Sequence, residues 1–473
     1  MNLLRIKDLD INKIIDAQIC RAKEVRCKVV NADEMTFDDE WEPEYKVFQQ
    51  KTKPKRMLVY PKYMYLIHLI IRGCIESNEG VTYLPVETYY PIFGRQLSEM
   101  LYTMEDMGII AIGCYTVGKH SRAIRLLKWN IEEYVNVNKK VALLVKKMAL
   151  NKSKTVRQKY TKELKSNIDD IKFIDNYNDS LELVRMMNKE AAVKYVNDNI
   201  EKETHRYYHY LYSIDSINKE KKITSISEYN QRMYHPIANY PKVLRRYLNF
   251  RYQVDVHNSH PLLVNRFLMS KYHIQYKIIK EMINNEILYR YHNDCQKLCK
   301  LLKHNRLWKD EVKDVPKDVL LYIYCTSTGL IWDMFVNRFG MNRDDVKVTM
   351  FREVFYSYST TTKNKQHAKK FVELFPHVWT QIREMKKHYT DKSKPHANMA
   401  NKMMEIESFI MIEILKEFFA AGFKVISIHD AIYVIDDAAN DGLKVDDAVN
   451  MMLAIYDKHK LCPSIDVEKY ESV

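Results

Sequence analysis

The spacing of apolar residues divides the chain into a helix-rich front and a back half in which short apolar strands interrupt long helices. Tyr60 to Ile75 predicts an apolar helix, Tyr83 to Tyr90 reads as a turn, and Gly94 to Met107 carries apolar residues at helical spacing. Ile109 to Ile112 and Ala123 to Leu127 predict strands, joined by the basic tip Gly118-Lys119-His120-Ser121-Arg122. Residues 135–225 predict helices studded with basic side chains from Lys139 to Lys165. Beyond them, Tyr252 to Val256, Val425 to Ile428 and Ile432 to Ile435 are β-rich cores, and Glu405 to Phe419 is a helix just before the second of these. No internal repeat or low-complexity tract appears.

Helix, turn, helix and a two-stranded ribbon with a positive tip is the pattern of a winged helix, or of a purely structural small α+β domain. Residues 1–54, acidic around Asp38 to Glu44 and ending in the run Lys51, Lys53, Lys55, Arg56, read as an accessory segment with a linker. Within the ribbon, Gly113, Gly118 and Lys119 mimic a phosphate loop. His120 stands where Ser or Thr would meet Mg²⁺, and a β-turn follows rather than a helix, so that reading is dismissed.

A chain of 473 residues has material for two to four structural units. Its 46% hydrophobic and 29% charged content is that of a soluble globular protein. With 10 glycines against 34 tyrosines, helices and amphipathic aromatic grooves are favoured over flexible loops. The net charge of +14 suits a polyanionic partner, although a merely solvated, lysine-rich surface gives the same count. Eight cysteines without a CxxC pair leave zinc ribbons and thioredoxin-like sites unsupported. The amino terminus is not a signal peptide, and no apolar stretch reaches the roughly 20 residues that span a bilayer. The expectation is a soluble protein with no membrane partner, in the cytoplasm of a bacterial or phage-infected cell.

Three clusters carry chemistry. In Tyr252-Gln-Val-Asp255-Val-His-Asn-Ser-His260-Pro an aspartate ends a strand and the chain turns into a helix, a rigid placement that suits a hard cation and also suits a helix cap. In Val425-Ile-Ser-Ile-His429-Asp430-Ala-Ile-Tyr-Val-Ile435 two apolar strands flank a polar pair with no glycine for an ordinary turn. Between them, Arg343-x3-Lys347-x3-Phe351-x3-Phe355-Tyr356 sets two cations and then two aromatics along one helix face. That order can grip a triphosphate and then a base; a solvated basic turn followed by core aromatics would look the same. Phosphoryl transfer to a 3′ hydroxyl would use all three, because two metal ions roughly 3.5–4 Å apart can be bridged by two carboxylates from neighbouring strands.

Together these residues resemble the family A polymerases, the group containing bacterial DNA polymerase I and the single-subunit phage and mitochondrial RNA polymerases. Asp255 is similar to the motif A aspartate, Arg343, Lys347 and Phe351 to motif B with Phe355 where Tyr is usual, and His429-Asp430 to the motif C pair. Arg232-Met-Tyr-His-Pro-Ile-Ala-Asn239-Tyr-Pro241 resembles the family segment whose arginine reaches the primer end. Departures are His260, where Glu or Gly is usual, Ala431, where DNA polymerases carry Glu, and Phe355, which lacks a hydroxyl. Asn258-Ser-His-Pro and the segment around Tyr115 also resemble polymerase-like proteins of phages and mobile elements. The resemblance covers residues 225–436, about half the chain.

The resemblance implies an α+β right hand preceded by the winged-helix-like domain: 1–54 accessory, 55–130 winged, 131–225 a basic helical thumb, 226–275 and 396–473 palm, and 276–395 fingers. It implies a nucleotidyltransferase that copies a template from nucleoside triphosphates. Asp255 and Asp430 would hold Mg²⁺, or Mn²⁺ in its place. Lys347 would assist catalysis. Arg343, Lys347, Phe351, Phe355 and His260 would bind nucleotide, and Arg232, His429 and Tyr356 primer and template. Bulk at His260 favours a DNA product by crowding a 2′ hydroxyl, although histidine can also hydrogen-bond that group. Nothing in 1–225 resembles a proofreading exonuclease. A primase or RNA polymerase of the same fold is the alternative, and a non-catalytic DNA-binding replication or transcription factor is the rival of another class.

Overall fold

A computed structural model describes residues 3–24, 56–84, 86–94, 96–113, 123–134, 171–217, 221–223, 225–226, 232–291, 295–304, 310–357, 365–387 and 395–470, with isolated positions between 26 and 47 and between 142 and 148. It is a mixed helix and strand chain that divides into two units, Met1–Lys165 with Asn188–Ser216, and Ser166–Met187 with Ile217–Val473.

The first unit is built around one apolar helix. Strand β1 (Leu3–Ile6) leads to α1 (Ile11–Glu24) and then α2 (Arg56–Glu76). In α2, Tyr63, Leu66, Ile70 and Cys74 recur at helical spacing and are fully buried. Strand β2 (Val81–Tyr83), helices α3 (Val86–Phe93) and α4 (Gln96–Asp106), and strands β3 (Ile110–Ile112) and β4 (Ala123–Leu126) follow. The three strands form an antiparallel sheet in the order β2-β4-β3. Where α2 passes the sheet there is room only for glycine: a Cβ on Gly73 would meet Thr82 Oγ1 at 2.1 Å. Strand β5 (Ile131–Tyr134) pairs antiparallel with β1, Leu3 opposite Tyr134.

Two expected boundaries change. Residues 1–54 are not merely accessory, because Leu3, Ile6, Ile11, Ile14 and Ile15 join the same apolar core as α2 and α4. The described residues within 131–225 do not form a separate helical region. Their start is β5, α5 (Ile171–Leu183) belongs to the second unit, and α6 (Lys189–Asn199) and α7 (His205–Ser216) belong to the first. Apolar faces decide this division, since Phe173, Tyr177 and Leu181 are buried from α5, and Ala192 and Val196 from α6. The basic ribbon tip 118–122 and nearly all of the lysine run, Lys146 excepted, lie outside the described residues.

The second unit carries a four-stranded antiparallel sheet. Strand β6 (Phe250–Val256) runs into α8 (Ser259–Lys271), and after several further helices α9 (Lys317–Ser327) and α10 (Arg343–Met350) follow. Helices α11 (Gln366–Leu374), α12 (Pro376–Lys387) and the long α13 (Pro395–Ala420) precede strands β7 (Val425–Ile428) and β8 (Ala431–Ile435), helix α14 (Val445–Lys458) and strand β9 (Ile465–Lys469). The sheet order is β7-β8-β6-β9. Every residue of β7 and β8 is buried, which explains why they are apolar apart from Ser427. Helix α13 packs along α8, α12 and α14 and against β7.

Candidate active site

The sheet brings the two aspartates to neighbouring positions. β6 and β8 are antiparallel, with Asp255 opposite Ala431, so Asp430 at the β7–β8 turn follows immediately beside the end of β6. Ile428 pairs with Ala431, leaving His429-Asp430 as a two-residue hairpin loop. His429 occupies the left-handed region at φ 59°, which such turns usually give to glycine. Keeping a β-carbon there costs on the order of 1–2 kcal/mol, a local strain that fold alone does not require.

The electrostatics match that placement. Burial pushes the Asp430 carboxyl well above the usual carboxylate range, and the neighbouring carboxylates Glu407 and Asp255 push it further. Asp255 is also raised by burial, against the pull of the Lys347 ammonium. Lys347 is exposed on α10 and acts on both aspartates. Beside Asp255, Asn258 is buried in the left-handed region (φ 58°), and both polar atoms of its amide lack a protein partner. Among the described residues no group of three or more His, Cys, Asp or Glu side chains is arranged to hold a metal ion.

A buried carboxylate that the sequence reading missed organises the remainder. Glu407 on α13 is 3% exposed; it pairs with the Arg232 guanidinium, accepts from Ser259 Oγ at 2.9 Å, and lies 2.9 Å from His260 Nε2. Burial alone would push its carboxyl up, but His260 and Arg232 hold it far below the usual range. The signal was periodicity: Glu407 falls in line with buried Met403, Ile410 and Ile414 on an apolar stripe, where an unpaired carboxylate would be very costly. On its other side the His260 ring meets the Tyr356 hydroxyl, hydrogen-bonded at Nδ1.

The aromatic pair differs from expectation. Phe355 does not face the site; it is fully buried against Trp332 and Phe371. The cause is a π-helical turn, Phe351–Phe355, in which Tyr356 N–H donates to the Phe351 carbonyl at 2.8 Å. One extra residue per turn moves Tyr356 to the place that period four would give Phe355. Tyr356 therefore stacks on Phe351, centroids 5.2 Å apart and planes at 21°, with the His260 ring edge-on to both. The missing hydroxyl of the sequence reading is supplied one residue later.

Arg343 is half-exposed, its Nε 3.2 Å from Asp333. His429 is exposed at the hairpin tip. Arg232, His429 and Asn239 line a small cavity of about 50 Å³ together with His235 and Ser408. Asp255, Asp430, Lys347, Arg232, His260, Phe351, Tyr356 and Glu407 are thus tied to one another by register, contact or charge, whereas Phe355 is withdrawn.

No family model matches the chain, and no curated protein matches it. Among solved structures, eight chains match. One is the POL domain of Pol1 from M. smegmatis in complex with DNA primer-template and dNTP, at 9% identity and a TM-score of 0.28. The match covers 60% of this chain and 56% of that one. At that TM-score the likeness adds nothing to what the geometry supports. No helix among the described residues is long and apolar enough to cross a membrane.

Proposed function

We propose that the second unit is a template-directed nucleotidyltransferase of right-hand type that makes DNA. Residues 226–275 and 396–473 serve as palm and 276–395 as fingers. The observation that carries this reading is the pair of carboxylates at the ends of adjacent strands, each raised by burial, with Asp255 further raising Asp430 and both facing Lys347. Two acidic oxygens held in mutual repulsion are a poor structural device and a good cation site.

The residues fit Mg²⁺ or Mn²⁺: a hard donor set of two carboxylates, with the rest of the coordination shell left to water and phosphate. Bound there, such ions would lower the pKa of an attacking 3′ hydroxyl and screen the charge of a departing pyrophosphate. Lys347 sets a mobile ammonium against that same charge. Arg343 can exchange its exposed ion pair with Asp333, worth at most about 1 kcal/mol, for a triphosphate. Phe351 and Tyr356 offer a stacked aromatic step for the base. Arg232, fixed by Glu407, and His429 at the hairpin tip face the primer end.

The sugar preference rests on His260. Nδ1 is bonded to the Tyr356 hydroxyl and Nε2 is buried 2.9 Å from Glu407, so the ring is fixed in place and presents bulk. That favours deoxynucleoside triphosphates over ribonucleotides. In the first unit, the α2-β2-α3-α4-β3-β4 order with sheet order β2-β4-β3 supports a winged-helix module that grips nucleic acid.

Primer extension tests the reading: wild type with primed single-stranded DNA, Mg²⁺ or Mn²⁺, and labelled dNTPs or NTPs in separate reactions. Asp255→Asn and Asp430→Asn should keep the fold and DNA binding while losing incorporation by about a thousandfold. Normal extension by either variant sinks the assignment.

A further inference from the structure

The π-helical turn that brings Tyr356 to His260 has to be held open. An α-helical continuation would align Phe351 with Phe355; the turn aligns Phe351 with Tyr356 instead. Side chains from the following segment brace its core side. Glu353 accepts from the His367 backbone N–H at 3.2 Å and meets His367 Nδ1 at 3.0 Å. The Lys365 ammonium donates to the Ser357 hydroxyl. From α12, the Lys386 ammonium donates to the Val354 carbonyl.

Lys386 differs from the others in its surroundings. It is fully buried, and its ammonium lies 5.3 Å from the centroid of the Trp379 ring. Burial, with Lys365 nearby, pushes that ammonium down to about 7. Desolvating a lysine is costly, and a packed apolar side chain would fill the same space without that cost. The last carbonyls of a helix lack intrahelical donors and carry the negative end of its dipole, so a cation aimed at Val354 O acts as a cap.

We propose that Lys386 is a positioning residue, whose ammonium on the Val354 carbonyl fixes the π register and thereby sets the Tyr356 hydroxyl on His260. The geometry stands without the polymerase reading; only the consequence for nucleotides rests on it. Held this way, the Phe351–Tyr356 face is rigid before substrate arrives, and loosening it weakens nucleotide binding more than turnover.

The test uses the full-length protein with ¹⁵N-labelled histidine, free of nucleotide, DNA and metal, with the His260 ring signals assigned by their loss in His260→Ala. Tyr356→Phe removes the hydroxyl bonded to Nδ1 and defines the direction in which those signals move. Lys386→Met is expected to move them the same way, with an unfolding temperature equal to or above wild type. Lys386→Gln, which still donates to the carbonyl, is expected to return them towards wild type. Unmoved signals in Lys386→Met, identical spectra for the Met and Gln variants, or a Met variant that fails to fold or melts several degrees lower would each overturn the proposal. With primed DNA and dNTPs, Lys386→Met should raise KM about tenfold and change kcat less than about threefold. A wild type that extends no primer, with the His260 response intact, would remove the polymerase reading and leave the positioning role standing.

Discussion

The two units treat buried polarity differently. Among the described residues, every aspartate, glutamate and lysine that solvent hardly reaches lies in the second unit: Lys221, Asp318, Lys386 and Glu407, with Asp255 and Asp430 partly buried in the same unit. In the first, buried polar groups close local structure. His68 accepts the Leu4 N–H at 3.0 Å, His209 reaches the Ile75 carbonyl at 2.7 Å near the end of α2, and Gln18 accepts from the Tyr63 hydroxyl at 3.0 Å. Two of the second unit's charges have similar roles, since Asp318 accepts the His377 and Val378 N–H groups at the start of α12, and Lys221 donates to the Ile217 carbonyl. Glu407 and Lys386 do not reduce to such roles. Both converge on the His260–Tyr356 contact, directly or through the π-turn. Charge that a stable fold would do better without marks where the molecule has been built for chemistry.

The largest expected effect sharpens this contrast at Asp430. Its carboxyl is raised in the folded protein, so the folded state holds the proton more tightly than the unfolded one. The stabilisation is present below the ordinary carboxylate range and is lost as pH rises through the native value. Ionising it in the folded state therefore costs stability. Asp430→Asn should lose about a thousandfold in primer extension while unfolding at a higher temperature than wild type, as read by calorimetry. A variant that melted lower would make Asp430 a structural strut and erase the distinction between the units.

Glu407→Ala should cost about 3–5 kcal/mol in urea unfolding, because it strands the Arg232 guanidinium without its counter-charge and the Ser259 hydroxyl without its acceptor. Here the pH sign is opposite. The Glu407 carboxyl is held down to about 2, so its contribution is full above the ordinary glutamate value of 4.5 and is lost as pH falls towards 2. An acid titration of wild type against Glu407→Gln reads this directly, the variant showing the shallower loss. In the first unit, Ile70→Ala should cost about 2–5 kcal/mol through the cavity it leaves, with the dNTP KM unchanged, whereas Glu407→Ala is expected to raise it if the proposed polymerase reading holds. If both substitutions raised KM alike, stability alone would explain the effect.

Much of this organisation was legible in the sequence. Val425–Ile428 matched strand β7 to the residue, and the strands around Asp255 and Asp430 proved to be neighbours as expected. Period two, period 3.6 and glycine-free turns are local signals, and they survived folding. What escaped was non-local or a matter of register. Strand β9 sits at the sheet edge, and its exposed Asp466, Glu468 and Lys469 hide any apolar run. Glu407 reads as one carboxylate among several on a long helix until its stripe is traced. Phe355 and Tyr356 exchanged places because a π-turn adds one residue to the period, and the Lys386 cap that stabilises that turn lies some thirty residues away. Composition gave no hint that Leu3 to Ile15 contribute to a core, since β1 acquires its partner only from β5.

The smallest expected effect concerns the hairpin tip. His429 holds a left-handed conformation that glycine adopts freely, so His429→Gly should stabilise the second unit by about 1 kcal/mol in urea unfolding. Released backbone entropy in the unfolded glycine variant opposes part of that gain, which sets the size near the low end. If His429 contacts the primer end, the same substitution should raise the KM for primed DNA several-fold and leave the dNTP KM alone, separating it from Glu407. A glycine variant that was more stable and fully active would show strain retained without function. The contrast between a first unit built for fit and a second built at a cost would then hold for Asp430 and Glu407 but stop short of the hairpin that carries them.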